Sequence, residues 1–204
     1  MWQPVQPAGD HIQGAQVETG TAVKALERLE VKGRAAKTGY ARTEFGNGWT
    51  SVGGCDTRNT ILYRDLVDAV TDDSCKVTSG LLYDPYTGET IRFVRGAQTS
   101  QLIQIDHVVA LSNAWQTGAQ RLTAQERVLL ANDPLNLLAV DGASNQQKSD
   151  GDAATWLPPN KPFRCQYVAR QIAVKQKYVL WVTTAEKEAM HRVLRACPGQ
   201  SLPS

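Results

Sequence analysis

An acid and a histidine, Asp106 and His107, lie side by side in the apolar run IQIDHVVAL at residues 103–111. The run predicts a short buried strand, and burying both groups without a function would be costly. Histidine accepts a proton near neutral pH, so His107 suits a general base, and the Asp106 carboxylate is a hard oxygen ligand for a metal ion. The pair predicts a site where a base and a metal ion act together.

Two asparagines extend this pattern downstream. Asn136 opens the short buried strand LNLLAV, and Asn145 begins a predicted helix, because Ser144 and Gln147 have capping-box spacing. The oxygens of Asp106 and Asn145 suit Mg²⁺ or Mn²⁺ with several waters retained, whereas too few imidazoles and thiolates are present for a tight zinc site. The polar residues therefore follow a strand, strand, helix order.

These groups together could cleave a phosphodiester bond. That reaction needs an activated water, a cation on the phosphate and stabilisation of the leaving oxygen. His107 would activate the water, while one metal ion on Asp106 and Asn145 would bridge a non-bridging phosphate oxygen and the leaving 3′ oxygen. The sequence shows no serine or cysteine nucleophile motif, which a hydrolase of another class would need.

The rest of the chain predicts further helices and one hairpin. Helices are predicted over TAVKALERLEV, TRNTILYRDLVDAV and LTAQERVLLAND, and over residues 163–180 and 184–196. Two of them start with capping-box spacing, Thr123 with Glu126 and Thr183 with Glu186. The segment KVTSGLLYDPYTGETIRFVRG predicts two strands joined at DPYTG.

Length and composition bound the class of protein. The 204 residues predict one domain over residues 17–204, preceded by a loose segment, rich in Gln, Pro and Gly, at residues 1–16. That segment lacks the basic and apolar regions of an intact signal peptide, and no apolar run is long enough for a membrane span. The formal net charge of +2 is too small to indicate a partner.

Four cysteines indicate the cellular compartment. They form no C-x-x-C pair, which disfavours a structural zinc site. Of the three ways to pair them, the simplest joins Cys55 to Cys75 and Cys165 to Cys197. Disulfides predict an oxidising compartment and therefore a secreted protein; four scattered thiols in a cytosolic protein are the alternative.

Several blocks resemble the HNH nucleases, also called the ββα-metal or His-Me finger group: IDHVVAL, NDPLNLLAVDGASNQQKSD and WLPP. The upstream blocks GYARTEFGNGW, GCDTRN and DPYTG are similar to those of a family of secreted bacterial HNH endonucleases. The resemblance runs from about Leu26 to at least Pro159. It implies an α+β fold in which a ββα-metal finger, at about residues 100–158, is embedded in a mostly helical domain held by disulfides.

The resemblance also implies a role for each site residue. Asp106 and Asn145 bind the metal ion, His107 is the general base, and Asn136 holds the loop between the strands and orients the histidine. Asparagine at the third position, where many members have histidine, favours Mg²⁺ over transition metals. The family's products carry 5′-phosphate and 3′-hydroxyl ends.

Three basic residues are predicted to bind the substrate backbone: Lys148, one helical turn beyond Asn145, Arg58 in GCDTRN and Arg42 in GYARTEFG. For the two arginines a structural ion pair is the alternative. The predicted partner is nucleic acid, DNA before RNA, bound with little sequence specificity, since no module for reading base edges is visible. An immunity or inhibitor protein is a second candidate partner, and the oligomeric state is left open.

An alternative hypothesis is that the protein has the same scaffold but does not catalyse the reaction. A nucleic-acid- or partner-binding protein could retain the same residues without significant catalysis, but binding alone does not need the base His107. The tryptophans, Trp49 among them, are interpreted as core or rim packing residues. Metal-dependent cleavage separates the two hypotheses.

Overall fold

The computed structural model of the protein describes residues 21–97 and 99–203, so the predicted loose segment at residues 1–16 lies outside them. The described residues form a mixed α+β fold. Its helices are α1 (Ala22–Arg28), α2 (Thr57–Asp65), α3 (Leu111–Gln116), α4 (Ala124–Asn132), α5 (Gly142–Lys148), α6 (Arg164–Lys177) and α7 (Thr184–Leu194). Its strands are β1 (Ser51–Val52), β2 (Cys55–Asp56), β3 (Val67–Thr71), β4 (Val77–Tyr83), β5 (Thr90–Val94), β6 (Ile103–His107) and β7 (Leu137–Asp141).

The antiparallel pair β6–β7 lies between two hydrophobic clusters. Side chains alternate along a strand, so Ile105 and Ala139 face one way while Leu138 and Val140 face the other. The first pair packs with α2 and the three-stranded sheet β3-β4-β5. The second pair packs in a cluster formed largely by α1, α6 and α7. Both faces of the pair are therefore buried, which explains its apolar sequence.

Helix α5 follows β7 directly and packs on both strands of the pair. The predicted strand, strand, helix order is therefore present, with α3 and α4 inserted between the strands. The predicted start of α5 was wrong, however. Asp141 is its N-cap and accepts a hydrogen bond from the Ser144 backbone N–H at 2.7 Å, so the helix begins at Gly142 and Asn145 lies inside it.

The strand predicted over residues 103–111 ends earlier, at His107. After His107 one more backbone hydrogen bond follows the register of the β6–β7 pair, and the pairing then stops. Val108 N–H donates to the Asn136 carbonyl and Val109 N–H to the Asn136 side-chain oxygen, both at 2.8 Å, and the chain then turns into α3. The apolar residues after His107 are buried in helix and turn conformations, which a short apolar run does not distinguish from strand.

The helix predicted over TRNTILYRDLVDAV was also too long. It ends at Asp65, and the last residues of that segment form β3, paired antiparallel to β4. That segment contains valines, which favour a strand, and also has a helical spacing of apolar residues. Pairing with β4 decides in favour of the strand. The hairpin of β4 and β5 on either side of DPYTG is confirmed, as are the capping boxes at the starts of α4 and α7.

Two disulfides join Cys55 to Cys75 and Cys165 to Cys197, which confirms the predicted pairing. The first links β2, at the start of α2, to the turn between β3 and β4. The second links the start of α6 to the chain after α7. Among the described residues there is no helix with the length and apolar character to cross a membrane.

The start of α5 tolerates no side chain at Gly142. A Cβ atom built there would lie 2.2 Å from the Gln101 carbonyl oxygen, which is backbone and cannot rotate away. We expect Gly142→Ala to lower the free energy of unfolding by about 1–3 kcal/mol, the usual cost of overpacking, measured by urea denaturation. Gly199→Ala is the matched control, because nothing lies within 4 Å of its Cβ position. Equal stability of the two variants would contradict this close approach.

Candidate functional site

Asp106 and His107 of β6 and Asn145 of α5 border one cleft of about 580 Å³. It lies over the end of β6 and the cleft-facing side of α5. Its lining is mostly polar and comprises Lys37, Tyr40, Arg42, Arg58, Gln104, Ile105, Asp106, His107, Ala110, Leu111, Ser112, Asn145, Ser149 and Asp150. Five of the seven predicted site residues outside the disulfides line this cleft. Lys148, the sixth, lies next to it, beneath Asp106.

His107 is held by contacts on two sides. Its Nε2 atom lies 2.9 Å from the Ala131 carbonyl oxygen, near the C-terminus of α4. A carbonyl only accepts, so Nε2 carries the proton in the neutral ring and the lone pair is on Nδ1. The ring also stacks on Trp49, with 5.6 Å between ring centroids and an interplanar angle of 11°. These contacts fix both the tautomer and the plane of the imidazole.

Burial lowers the pKa of His107 to about 3, with the positive charges of Arg42 and Lys148 adding to the effect and the hydrogen bond to Ala131 opposing it. The imidazole is only 6% exposed, so its charged form would lose most of its hydration. Above about pH 4 the ring is therefore neutral. It can accept a proton without first having to lose one.

Asp106 faces the opposite side of β6 from His107, as the alternation of a strand requires. Its carboxylate is 5% exposed and both oxygens have partners: Lys148 Nζ lies 2.9 Å from Oδ1, and the Tyr86 hydroxyl donates to Oδ2. Burial raises the pKa of Asp106, and Lys148 and Tyr86 offset part of that rise. The buried ammonium favours the ionised carboxylate and so opposes the effect of burial.

Lys148 has a different position from the one predicted. Its ammonium is fully buried and also donates to the His107 carbonyl oxygen at 2.9 Å. A group so enclosed is in no position to contact a phosphate at the surface of the cleft. The predicted spacing of one helical turn from Asn145 is correct, but this turn directs Lys148 beneath the strand, toward Asp106.

Asn136 lies behind the site and is fully buried. Its side-chain oxygen accepts from Val109 N–H at 2.8 Å, and its amide nitrogen lies 3.3 Å from the Val109 carbonyl and 3.4 Å from that of Leu130. One side chain thus ties the backbone just after His107 to α4, the helix that also supplies the Ala131 carbonyl.

Asn145 projects into the cleft from α5. Its amide nitrogen donates to Gln104 Oε1 at 2.9 Å, which leaves Oδ1 free of hydrogen-bond partners among the described residues. Asp106 oxygens each keep a further lone pair, since a carboxylate offers about four acceptor sites. Two hard oxygen donors in one polar cleft fit Mg²⁺ or Mn²⁺ with water completing the shell.

A site built from three or more acidic, histidine or cysteine ligands is absent from the described part of the chain. A metal ion at this cleft would therefore be bound by few protein ligands and several waters. That is the usual situation of Mg²⁺, which dehydrates reluctantly and takes one or two carboxylates together with substrate oxygens.

The two predicted arginines lie on the rim of the cleft. Arg42 is exposed and has no hydrogen-bond partner among the described residues. Arg58 is half-buried and donates to the Ser100 carbonyl at 3.4 Å, with most of its donors unused. Lys37, also in the lining, pairs with Asp150 at 3.2 Å, and Ser112 also donates to this aspartate. Neither arginine forms the structural ion pair that was the alternative.

Sequence reasoning missed four residues of the site: Tyr86, Trp49, Gln104 and Lys37. Tyr86 lies in DPYTG, which was interpreted as a turn and as part of the family resemblance, with no role for the tyrosine. Trp49 was interpreted as a packing residue, and it packs on the histidine itself. Gln104 is two residues before Asp106, and strand alternation places both on one face. That spacing could have identified Gln104, and the resembling blocks could have identified Tyr86 and Trp49.

Residues 56–193, well over half of the chain, match the protein family described as "GmrSD restriction endonucleases, C-terminal domain". The chain belongs to this family. The matched range contains every predicted site residue outside the disulfides except Arg42. Membership identifies a nuclease-like domain, while the bacterial origin implied by the sequence resemblance stays a prediction.

A relative from Arthroderma benhamiae described as an "Uncharacterized secreted protein" is 40% identical over 179 residues, which cover 87% of this chain and 85% of that protein. Together with the two disulfides of this GmrSD C-terminal domain protein, that relative confirms the prediction of a secreted protein.

Removal of the Lys148 charge should destabilise the domain. Lys148→Met leaves the Asp106 carboxylate buried without a counter-charge, and we expect a loss of about 3–5 kcal/mol in the free energy of unfolding at pH 7. The deficit should shrink at lower pH, because unopposed burial raises the pKa of Asp106 and its protonation then stabilises the folded state.

The control for this prediction is the double variant Asp106→Asn, Lys148→Met. It removes both charges and should recover most of the stability in urea denaturation at pH 7. A single variant as stable as the wild type would show that the Asp106–Lys148 pair makes no net contribution.

The His107 ring should stay neutral well below its ordinary titration range. In ¹⁵N NMR spectra we expect its nitrogens to keep the shifts of the Nε2-protonated neutral ring from pH 8 to pH 5, whereas histidines of the urea-unfolded chain titrate near pH 6.5. Since the unfolded chain binds this proton near pH 6.5 and the folded chain near pH 3, His107 lowers folding stability as the pH falls below 6.5. Titration of His107 near pH 6.5 in the folded protein would contradict its burial.

Proposed function

We propose that this protein is a secreted, metal-dependent endonuclease of the HNH type that hydrolyses phosphodiester bonds of nucleic acid. The observation that carries the proposal is the state of His107. Its Nε2 proton is committed to the Ala131 carbonyl, so Nδ1 is free to accept a proton at the cleft that Asp106 and Asn145 also border. Nucleic-acid binding alone would not require a histidine fixed in one tautomer.

The β6–β7 pair and α5 support the finer assignment to the HNH type. They have the strand, strand, helix order of a ββα-metal finger, and the three elements bring Asp106, His107 and Asn145 to one cleft although 38 positions separate the last two in sequence. Asn136, at the start of the second strand, ties down the loop after the histidine. In this interpretation each residue has the role that the sequence resemblance implies for it.

The protein's own groups would each perform one part of the reaction. His107 Nδ1 takes a proton from the attacking water as the oxygen bonds to phosphorus and the P–O3′ bond breaks. The leaving 3′ oxygen takes a proton from a solvent water, which gives 5′-phosphate and 3′-hydroxyl ends. Trp49 holds the imidazole plane, Asn136 holds the backbone just after His107, and the Lys148 ammonium favours the ionised form of Asp106. When bound by Asp106 and Asn145, Mg²⁺ or Mn²⁺ supplies positive charge at the scissile phosphate.

Arg42 and Arg58 would bind phosphates of the substrate strand near the reacting one. Both border the cleft and offer unused guanidinium donors, which pair with phosphate oxygens in a planar, two-pronged geometry. Contacts of this kind carry no sequence information, so we expect cleavage of DNA, with RNA as a second substrate, to show little sequence specificity. Binding of an immunity or inhibitor protein as a second partner remains a prediction.

The first test is degradation of plasmid DNA and single-stranded RNA by the purified protein with Mg²⁺, Mn²⁺ or EDTA. We expect cleavage that depends on the metal ion and falls at least a hundredfold in His107→Ala, in line with loss of a general base. His191→Ala is the matched control, because His191, on α7, pairs with Glu27 on α1 and borders no part of the cleft.

Each alternative outcome has a definite meaning. Cleavage that is insensitive to His107→Ala would move the active site elsewhere. If the folded wild type cleaves neither polymer but binds them, the binding-protein hypothesis would replace the proposal. Asn145→Ala adds a binding readout, since it should weaken Mn²⁺ association measured by electron paramagnetic resonance.

A further inference from the structure

A second, smaller hollow opens next to His107 on the side away from Asp106. Its volume is about 170 Å³, and it shares Arg42, His107 and Leu111 with the polar cleft, so the two are continuous. The remaining lining is apolar or glycine and consists of Phe45, Gly46, Gly48, Trp49 and Ala131. The proposed reaction uses none of this space.

The chemistry of the lining differs sharply from that of the main cleft. Arg42, at the junction, is its one charged residue, and aromatic rings of Trp49 and Phe45 form much of the wall. Such a surface offers nothing to a second phosphate or to a metal ion. It suits a flat, largely apolar group attached to a phosphate, because stacking on aromatic side chains is how proteins bind bases without reading their sequence.

The backbone keeps this hollow open. Gly46 and Gly48 have φ angles of +100° and +124°, a region that residues with a Cβ rarely adopt. A Cβ at Gly46 would approach Val128 Cγ2 to 3.1 Å, whereas one at Gly48 would meet nothing within 4 Å. The FGNGW segment therefore bends closely over α4 and brings Trp49 to the histidine with no side chain in between.

Trp49 is fixed from the same helix as the base. Asn132 Oδ1 accepts a hydrogen bond from Thr50 N–H at 2.9 Å, one residue after Trp49, and the neighbouring Ala131 carbonyl binds His107. The C-terminal turn of α4 thus holds the tryptophan and the imidazole in one arrangement.

We infer that this hollow is a nucleobase subsite, which takes the unpaired base of the nucleotide next to the scissile phosphate. The inference rests on the proposed function and names its substrate class: single-stranded nucleic acid, or strands whose bases open readily. A base within a duplex must first leave its stack and its pair, and that cost is least where the strand is already single. Arg42 binds the phosphate at the mouth while the base enters between Trp49 and Leu111.

The test varies the substrate, so that folding of a variant does not affect it. Single-stranded oligonucleotides are made with one cleavable phosphodiester among methylphosphonate linkages, carrying either all bases or one abasic nucleotide on the 5′ or the 3′ side of that bond. We expect the abasic change on one side, and not on the other, to lower kcat/KM about 5- to 100-fold, the range of one stacked base. The fully paired duplex should also be cleaved more slowly than the single strand.

A protein variant is then tested with the same series of oligonucleotides. Ala131→Leu places a larger side chain in the hollow and should shrink the ratio of intact to abasic cleavage toward one, while Ala124→Leu, on an exposed position of the same helix, should keep it. If both abasic oligonucleotides are cleaved as fast as the intact strand, the subsite is wrong and the nuclease remains. If no oligonucleotide or duplex is cleaved, the proposed function fails and the subsite with it.

Discussion

The buried carboxylate of Asp106 is the constraint on which the site depends. An ionised acid removed from water is tolerated only when other groups replace its hydration. Here a hydroxyl comes from Tyr86 in the hairpin connection and an ammonium from Lys148 at the end of α5. Three segments far apart in sequence must therefore meet at this one carboxylate. The same requirement brings Asn145, one turn earlier on α5, to the cleft.

Asp106 and His107 are neighbours in sequence and yet belong to opposite sides of the molecule. Strand alternation directs the acid toward α5 and the cluster of α1, α6 and α7, and the histidine toward α4 and Trp49. The two sides meet because β6 ends at His107, where the cleft opens. This separation gives the two neighbours different environments: a buried ammonium lies against the carboxylate, and dry surroundings lower the pKa of the imidazole.

Several features could be predicted from the sequence because they depend on local chemistry. The disulfide pairing, the capping boxes of α4 and α7 and the strand, strand, helix order were correct. The errors have a common cause in long-range contacts. Pairing with β4 converts the end of a predicted helix into β3, and hydrogen bonds to Asn136 end β6 at His107. The N-cap of α5 was wrong by a smaller margin, since Asp141 and Ser144 both have suitable side chains.

The sequence by itself predicted four side chains of the candidate site and the order in which the elements carry them. Residue type, alternation and spacing are properties of the chain, and together with the family resemblance they predicted Asp106, His107, Asn136 and Asn145. Only the tertiary structure decided what each of them touches. It placed Lys148 under the strand and away from phosphate, stacked Trp49 on the imidazole and positioned the Ala131 carbonyl to select its tautomer. Those contacts join residues 24 to 58 positions apart, and their energies depend on burial, which no local pattern specifies.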